Sequence, residues 1–361
     1  MQNTFDPGTH AGLRIRHSIR DRKLTRVTPT IQHYSARPRR HSCQQYITER
    51  VMTKRHIKDF ILFTTLILFF GRAWATQHLE LQQVTNDVYA IVGELGNRTP
   101  DNLGDNATFG FVVTHDGVVL IDSGATYDGA KAIDAMIKTV TSKPIVKVIN
   151  TGGQDHRWLG NEYFRRQGAE IIASEAAVTD QRARVTDELF MLGNLVGEKA
   201  VKSTNPVYAD TTFKNTYRFS LGGIAFEIHH NATAHTPGDS FVWLPQESVM
   251  FTGDIVFTER LLGVLEHSNS KSWIEVYRSM AAFQPKYVVP GHGHATNMDR
   301  AQSDTYDYLV DLRKAVTDFR ENGGDISEIS KVDQSKYRHL PNFDTLSGRN
   351  AQQVFSELEW E

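Results

Sequence analysis

Hydrophobic and polar residues alternate along the segment that follows residue 78, with polar turns between the apolar runs. Three short apolar runs separated by turn residues predict a meander of antiparallel strands. A segment with helical periodicity comes next, and a fourth apolar run then leads into a glycine-containing loop. The predicted strands cover residues 88–92, 109–113, 118–122 and 145–149, and the predicted helix covers residues 127–139.

The same order, strands first and helices afterwards, returns in the second half of the chain. The loop is followed by a helix near 159–167, a strand at 170–173 and a helix rich in Ala and charged residues. Further strands are predicted at 219–221, 224–229, 241–244, 249–251 and 287–289, and further helices at 273–283 and 300–320, before a polar tail. Two such halves predict an α/β fold, a four-layer αββα sandwich of two sheets with helices outside.

The front of the chain has the pattern of a bacterial export signal. A basic stretch follows Met52, an apolar run covers residues 60–70, and Ala73 and Ala75 form a small-x-small cleavage site. We therefore expect residues 52–75 to be a signal peptide cleaved after Ala75, an uncleaved anchor being the alternative. The mature protein is then periplasmic or secreted, and no later segment is long and apolar enough to hold it in a membrane.

Residues 1–51 precede this signal and are rich in Arg and His without any periodicity. Such a basic tail is compatible with nucleic-acid binding or organelle targeting. An export signal works from the N-terminus, however, so we favour Met52 as the true start and residues 1–51 as a non-native extension. Residues 76–361 are then one domain that ends in a helical tail.

Composition narrows the chemistry. The only cysteine is Cys43, so the predicted mature protein has no thiol for a disulfide, a cysteine nucleophile or a thiolate metal ligand. The formal net charge of −2 over 361 residues offers no electrostatic basis for nucleic-acid or anionic membrane partners. We therefore expect a small-molecule substrate.

Five segments carry a resemblance to the metallo-β-lactamase superfamily. Residues 150–161 read Asn-Thr-Gly-Gly-Gln-Asp-His-Arg-Trp-Leu-Gly-Asn, and their ends are similar to the family's Asn-Thr-His-x-His-x-Asp-His-x-x-Gly-Asn loop. Residues 120–124 (Leu-Ile-Asp-Ser-Gly), 234–239 (Ala-His-Thr-Pro-Gly-Asp), 251–254 (Phe-Thr-Gly-Asp) and 289–293 (Val-Pro-Gly-His-Gly) resemble its other motifs, in the same order. The resemblance implies the αββα fold and hydrolysis of an ester, thioester, lactone or amide by metal-activated water, without a protein nucleophile.

The loop departs from the family pattern at its ligand positions. Aligned without a gap, these positions carry Gly152, Gln154, His156 and Arg157. The family's first metal would retain only His235 as a ligand, so we do not expect that metal to bind.

A single metal remains as an expectation from the resemblance. Its ligands would be His156, Asp254 and His292, with His235 as a fourth ligand or close neighbour. This set suits one zinc ion, or iron if coordination positions stay open. The resemblance implies that Asp122 supports the metal loop.

A shift of the alignment by one residue would make Asp155 a ligand, although it requires both a deletion and an insertion. In the ungapped alignment Asp155 is a supporting residue beside the ligands. We therefore favour the ungapped alignment, which keeps both ends of the loop matched.

The position of Arg157 distinguishes two hypotheses, a metallohydrolase and a metal-free binding protein. A guanidinium cannot coordinate a metal and repels a nearby cation. It could pair with Asp254 in a metal-free pocket, and hydrogen-bond contact between them would favour a non-catalytic periplasmic binding or accessory protein. Alternatively, Arg157 and Gln154 serve substrate binding or oxyanion stabilisation beside Asp254 in a metallohydrolase, which is the function we favour.

Other polar and aromatic residues have simpler interpretations. We expect Trp158 in the core and Asp239 as a support of the turn after Pro237. Phe190 and Met191 are candidates for the wall of a substrate cleft. The polar loop at residues 97–106 has the composition of a mobile segment.

Overall fold

The computed structural model describes residues 78–361, and these residues form two β-sheets with helices around them. The proposed extension at residues 1–51 and the proposed signal at 52–75 lie outside the described residues. The first sheet has seven strands in chain order: β1 (Glu80–Gln83), β2 (Val88–Val92), β3 (Thr108–Thr114), β4 (Gly117–Ile121), β5 (Ile145–Asn150), β6 (Glu170–Ser174) and β7 (Thr211–Phe213). Pairing is antiparallel from β1 to β4 and parallel from β4 to β7.

The second sheet has five strands in the order β12-β11-β10-β9-β8. They are β8 (Thr216–Leu221), β9 (Ile224–His229), β10 (Phe241–Leu244), β11 (Val249–Phe251) and β12 (Tyr287–Val289). The hairpin between β8 and β9 turns at Gly222 and Gly223, which both have positive φ, a conformation that glycine adopts without strain. β11 and β12 are parallel, and the other neighbours are antiparallel.

Nine α-helices surround the two sheets in the described residues. They are α1 (Tyr127–Ile137), α2 (Asp155–Trp158), α3 (Asn161–Arg165), α4 (Glu175–Val196), α5 (Glu198–Lys202), α6 (Ser270–Ala281), α7 (Met298–Ala301), α8 (Asp307–Glu321) and α9 (Phe343–Glu359). A π-helical turn at Gln302–Tyr306 joins α7 to α8, so the predicted single helix at 300–320 is two helices and a wider turn.

Three of the four buried apolar clusters in the described residues hold these layers together. The central cluster lies between the sheets and includes Val112, Ile149 and Phe251. A second cluster includes strand residues of the first sheet together with α1, and a third packs α6, α8 and α9 against the second sheet. The predicted αββα sandwich is therefore confirmed, because burial on both faces of each sheet requires helices outside.

The structure refines two local predictions. The tail after residue 321 contains a helix as expected, but it is not simply polar, because α9 buries Ala351, Val354 and Phe355 against the outer helices. The helix expected near 159–167 is α3, at Asn161–Arg165, and a separate turn, α2, precedes it and carries residues of the site. In the part of the chain described, the structure holds no helix with the length and apolar character needed to cross a bilayer.

Candidate metal centre

The candidate residues follow the carboxyl ends of four strands. β4 is followed by Asp122, β5 by the loop that leads into α2, β11 by a 3₁₀ turn with Asp254, and β12 by the loop with His292. Carboxyl ends of neighbouring parallel strands lie at the same edge of a sheet. The φ of Asp122 is 66°, and its carboxylate accepts hydrogen bonds from the Thr151 backbone N–H at 2.7 Å and from the Thr151 hydroxyl.

Three side chains come together as a buried group. His156 Nε2 lies 3.2 Å from Asp254 Oδ2, and His292 Nε2 lies 3.3 Å from Asp254 Oδ1. One donor atom from each of the three residues lies within 4.8 Å of the others. Of residues 78–361, these three form the group with metal-binding spacing, and His235 is outside it.

Backbone carbonyls orient the rings of His292 and His235. His292 Nδ1 lies 2.9 Å from the Asn106 carbonyl oxygen, and His235 Nδ1 lies 3.0 Å from the Gly263 carbonyl oxygen. A carbonyl only accepts, so each Nδ1 carries the proton and each Nε2 keeps a lone pair. Burial lowers the pKa of His235 to about 4 and the pKa of His292 well below its usual value, so both rings are neutral near pH 7.

His156 has a different partner. Arg98 Nη2 lies 2.8 Å from His156 Nδ1, and the guanidinium can only donate. In this arrangement His156 Nδ1 accepts, and its Nε2–H donates to Asp254. A metal at His156 Nε2 therefore requires Arg98 to leave Nδ1, after which the Asp155 carboxylate, 3.3 Å from Nδ1, can accept the ring proton.

Arg157 is fully buried, and all five of its N–H donors are used. Nε and Nη2 donate to the two oxygens of Asp254 at 3.1 and 2.6 Å. Nη1 donates to Asp122 Oδ2 at 2.9 Å and to the Thr108 carbonyl at 3.0 Å, and Nη2 also donates to the Gly291 carbonyl at 2.8 Å. In this arrangement no donor of Arg157 is left for a ligand, so its contacts do not support the expected substrate or oxyanion role, which stays a prediction.

Asp254 and Asp122 respond differently to burial around Arg157. Burial alone would raise the pKa of Asp254, but the Arg157 charge outweighs burial and holds this pKa well below the usual range. Burial raises the pKa of Asp122 despite the Arg157 charge, so Asp254 is the carboxylate that stays ionised beside the guanidinium. Asp254 Oδ1 also has a second lone pair beside the one that Arg157 uses, whereas Oδ2 accepts from the Nε2–H of His156 as well. The residues therefore fit one metal ion, with Arg98 as its competitor at His156.

Two carboxylates lie against the glycines of the loop, Gly152 and Gly153. A Cβ atom at Gly152 would lie 2.5 Å from Asp239 Oδ1, and a Cβ at Gly153 would collide with the Asp180 carboxylate. Asp239 itself accepts from the Thr236 backbone N–H at 2.7 Å, so it supports the turn as expected. Two carboxylates thus occupy the space that larger side chains in this loop would need.

The supporting residue Asp155 lies outside the ligand group. Its Oδ1 forms an ion pair with Arg98 at 2.6 Å and accepts from the His156 backbone N–H at 2.8 Å. Burial would raise the pKa of Asp155, but Arg98 outweighs burial and lowers that pKa to about 2. These contacts match the ungapped alignment, in which Asp155 supports the ligands.

A cavity of about 740 Å³ opens beside this group. Gln154 lines it, and Gln154 Oε1 has no hydrogen-bond partner. Met191 also lines it, whereas Phe190 is exposed nearby and Trp158 is buried in the core, as expected. Further lining residues are Arg98, His156, His235, Arg260 and His292.

Sequence reasoning missed Arg98 and Arg260, two of the four arginines that line this cavity. Arg98 lies in the polar loop between β2 and β3, and its place in a loop with the composition of a mobile segment was the one available signal. Arg260 follows the Asp254 turn by six residues, and nothing in the local sequence distinguishes it from a surface arginine.

The Metallo-beta-lactamase superfamily model matches residues 103–292, more than half of the 361 residues. The metallo-beta-lactamase type 2 of Elizabethkingia meningoseptica is 27% identical over 186 residues, which cover 50% of this chain and 67% of that protein. The structure of a metallo-beta-lactamase from Pontibacter korlensis is similar with a TM-score of 0.52, at 24% identity, covering 64% of this chain and 98% of that one. The sec-alkylsulfatase Pisa1 from Pseudomonas sp. is similar with a TM-score of 0.61, at 16% identity, covering 77% of this chain and 50% of that one.

Proposed function

Since the chain belongs to the metallo-β-lactamase superfamily, we propose that it is a metal-dependent hydrolase with a single metal position at His156, Asp254 and His292. The proposed substrate is a small molecule with an ester, thioester, lactone or amide bond. Zinc is the proposed metal, and iron is the alternative. The observation that carries the proposal is the spacing of the two imidazole nitrogens around the Asp254 carboxylate.

The spacing supports a metal position. Two ligands on a tetrahedral zinc, each about 2.1 Å from the ion, are separated by roughly 3.4 Å. His156 Nε2 lies 3.2 Å from Asp254 Oδ2, His292 Nε2 lies 3.3 Å from Asp254 Oδ1, and ligand atoms of the three residues lie within 4.8 Å of one another. The lone pair of neutral His292 also faces a carboxylate oxygen, a contact between two acceptors that a cation would relieve.

The chain's own residues position the reacting groups. A bound metal would lower the pKa of a water molecule and so supply hydroxide near pH 7. Arg157 holds the Asp254 carboxylate by two hydrogen bonds and keeps it ionised. Gln154 lines the cavity and can turn its amide N–H toward an oxyanion that develops on the substrate.

The second candidate is a non-catalytic binding or accessory protein with a metal-free pocket. Two observations favour it: Arg157 contacts both oxygens of Asp254, and Arg98 donates to His156. In that state Asp254 and Asp155 are each paired with an arginine without a metal, and the cavity serves binding alone. The metal content of the protein is the measurable quantity that distinguishes the hydrolase from the binding protein.

Elemental analysis of the purified protein, grown with added zinc and iron, tests the proposal. We expect about one equivalent of metal, and its loss in His156→Ala and His292→Ala. His294→Ala is the matched control, because His294 is a partly exposed histidine paired with Glu259 outside the group. Less than about a tenth of an equivalent in the unaltered protein would overturn the proposal in favour of the second candidate.

A further variant separates the two alignments of the loop. Asp155→Ala keeps the metal if Asp155 only supports His156, and it loses the metal if Asp155 is a ligand. We expect retention, because Asp155 lies outside the group formed by His156, Asp254 and His292.

A further inference from the structure

Two buried arginines near the candidate metal centre, Arg157 and Arg260, differ in how many of their N–H donors are hydrogen-bonded. All five donors of Arg157 are used, as described above. Arg260 is only 8% exposed, and its Nε has no partner. Its Nη1 makes two long contacts of 3.4 Å, one to the Gly96 carbonyl and one to His292 Nδ1. The second is not a hydrogen bond, because His292 Nδ1 already carries the proton that it donates to Asn106.

The charge of Arg260 also has no counterion. Within residues 78–361, no carboxylate lies at ion-pair distance from its guanidinium, and Asp254, which acts on it electrostatically, is bound by Arg157. Burial and the neighbouring Arg98 lower the pKa of Arg260 to about 10, which leaves it charged near pH 7. Arg98 contributes a second buried Nε–H without a partner. A buried cation of this kind is costly unless an anion accompanies it.

The same cavity has an apolar rim on α4. Met191 and Leu195 line the cavity and are 54% and 37% exposed, and Phe190 beside them is 69% exposed. These are three of the four large hydrophobic side chains that are exposed in the described part of the chain. Their clustering on one helix at the cavity mouth marks a surface for an apolar ligand group.

We propose that this cavity binds an anionic amphiphile, whose oxyanion is held by Arg260 and Arg98 and whose apolar chain lies along Met191 and Leu195. This inference rests on the proposed function, because it names the substrate class of the same cavity. The oxyanion is a carboxylate or a sulfate ester, since both accept paired hydrogen bonds from a guanidinium. The cavity volume of about 740 Å³ is in the range of small-molecule sites.

Calorimetric titration of the purified full-length protein tests this inference with four probes: octanoate, octyl sulfate, acetate and 1-octanol. We expect octanoate or octyl sulfate to bind, and the better of them identifies the head group. Acetate lacks the apolar chain and 1-octanol lacks the charge, so each should bind at least about tenfold more weakly. Equal binding of 1-octanol, or of acetate, would overturn the amphiphile class.

Variants locate the binding groups. Arg260→Gln should weaken binding of the better amphiphile about tenfold or more, and Arg260→Lys should retain part of the affinity because it keeps the charge. Arg166→Gln is the matched control, an exposed arginine outside the cavity that should change binding less than about threefold. Met191→Gln should weaken octanoate and leave acetate unchanged. Unaltered affinity in Arg260→Gln would overturn the inference.

Metal content measured on the same preparations keeps the two proposals distinguishable. One equivalent of metal without amphiphile binding would refute the inference and leave the hydrolase proposal standing. Amphiphile binding that depends on Arg260, in a protein without metal, would refute the hydrolase proposal and support the ligand class. Equal thermal unfolding of Arg260→Gln and the unaltered protein confirms that the fold is intact.

Discussion

Arg157 binds two buried carboxylates and two backbone carbonyls at once, and this single residue links segments that are far apart in the chain. Its partners Asp122 and Asp254 are each at most 1% exposed as side chains. Removing a partner from such a buried group leaves charge without compensation, which costs far more than losing a surface ion pair. The role of Arg157 at this scale is structural, whichever function the cavity has.

We therefore expect Arg157→Gln to lower the free energy of unfolding by about 3–5 kcal/mol. Urea unfolding in the presence of a chelator measures this without a contribution from bound metal. Arg166→Gln is the control, because its ion pair with Glu162 involves an arginine that is 65% exposed, and its loss should cost less than about 1 kcal/mol. Similar losses in the two variants would contradict the structural role of Arg157.

Arg98 competes with a metal for the same histidine. Its hydrogen bond to His156 Nδ1 forces the ring proton onto Nε2, where a metal would bind. We expect Arg98→Gln to raise the zinc affinity about tenfold, measured by competition with a chromophoric chelator. Arg184→Gln removes the same charge from the same cavity without touching His156, so it should change the affinity less. A lower affinity in Arg98→Gln would show that Arg98 supports the metal instead.

At the scale of elements, α2 decides where two consecutive side chains point. Successive residues of a helix are rotated by about 100°, so His156 and Arg157 face different directions from adjacent positions. His156 reaches the cavity, and Arg157 points beneath it toward the ends of β3, β4 and β12. The sequence analysis placed residues 150–158 in a loop, and a loop does not predict that His156 and Arg157 point in different directions.

Asp105 joins the loop before β3 to the start of α1. Its Oδ1 accepts from the Ala125 backbone N–H at 3.2 Å, and its Oδ2 has no partner. Burial raises the pKa of Asp105 to about 8, above its value of about 3.9 in an unfolded chain. Between these two values the folded protein keeps a proton that the unfolded chain releases, so stability falls as the pH rises from about 4 to about 8.

Asp105→Asn imitates the protonated acid and removes this dependence. We expect the variant to gain stability relative to the unaltered protein as the pH rises from 5 to 8, because only the unaltered protein bears the cost of the buried charge. Urea unfolding of both proteins at each pH measures the difference. A difference that stays constant with pH would show that Asp105 is ionised throughout.

At the scale of the whole molecule, the sandwich brings the ends of four strands from two sheets to one site. Each sheet alone supplies only some of the residues of the site. Asp122 and Arg157 follow strands of the first sheet, and Asp254 and His292 follow strands of the second. Packing of the sheets through the central cluster is therefore a condition for the site.

Export is the remaining prediction for the whole chain. Expressed in a bacterium, the mature protein should begin at Thr76, as determined by mass spectrometry of its N-terminus. Ala75→Arg should block cleavage, because signal peptidase requires a small residue there, whereas Thr76→Ser should not. A mature protein that begins at Met1 would contradict both the signal and the proposed start at Met52.

The sequence by itself determined the family and the order of strands. Motifs such as residues 120–124 and 289–293 are local, and a turn with glycine beside a ligand is recognisable without knowledge of the rest. The apolar runs likewise predicted most strands of both sheets, because a strand that is buried on both faces has apolar residues at consecutive positions. His156, Asp254 and His292 were also chosen from sequence, although their roles remain proposals.

Only the tertiary structure decided what the two arginines do. Arg157 obtains its partners from Thr108, Asp122, Asp254 and Gly291, and Arg260 obtains no counterion from any described segment. The reason is that a buried charge must be satisfied by whatever groups surround it in space, and those groups come from distant parts of the chain. No local sequence pattern distinguishes Arg157, whose donors are all hydrogen-bonded, from Arg260, which has no counterion.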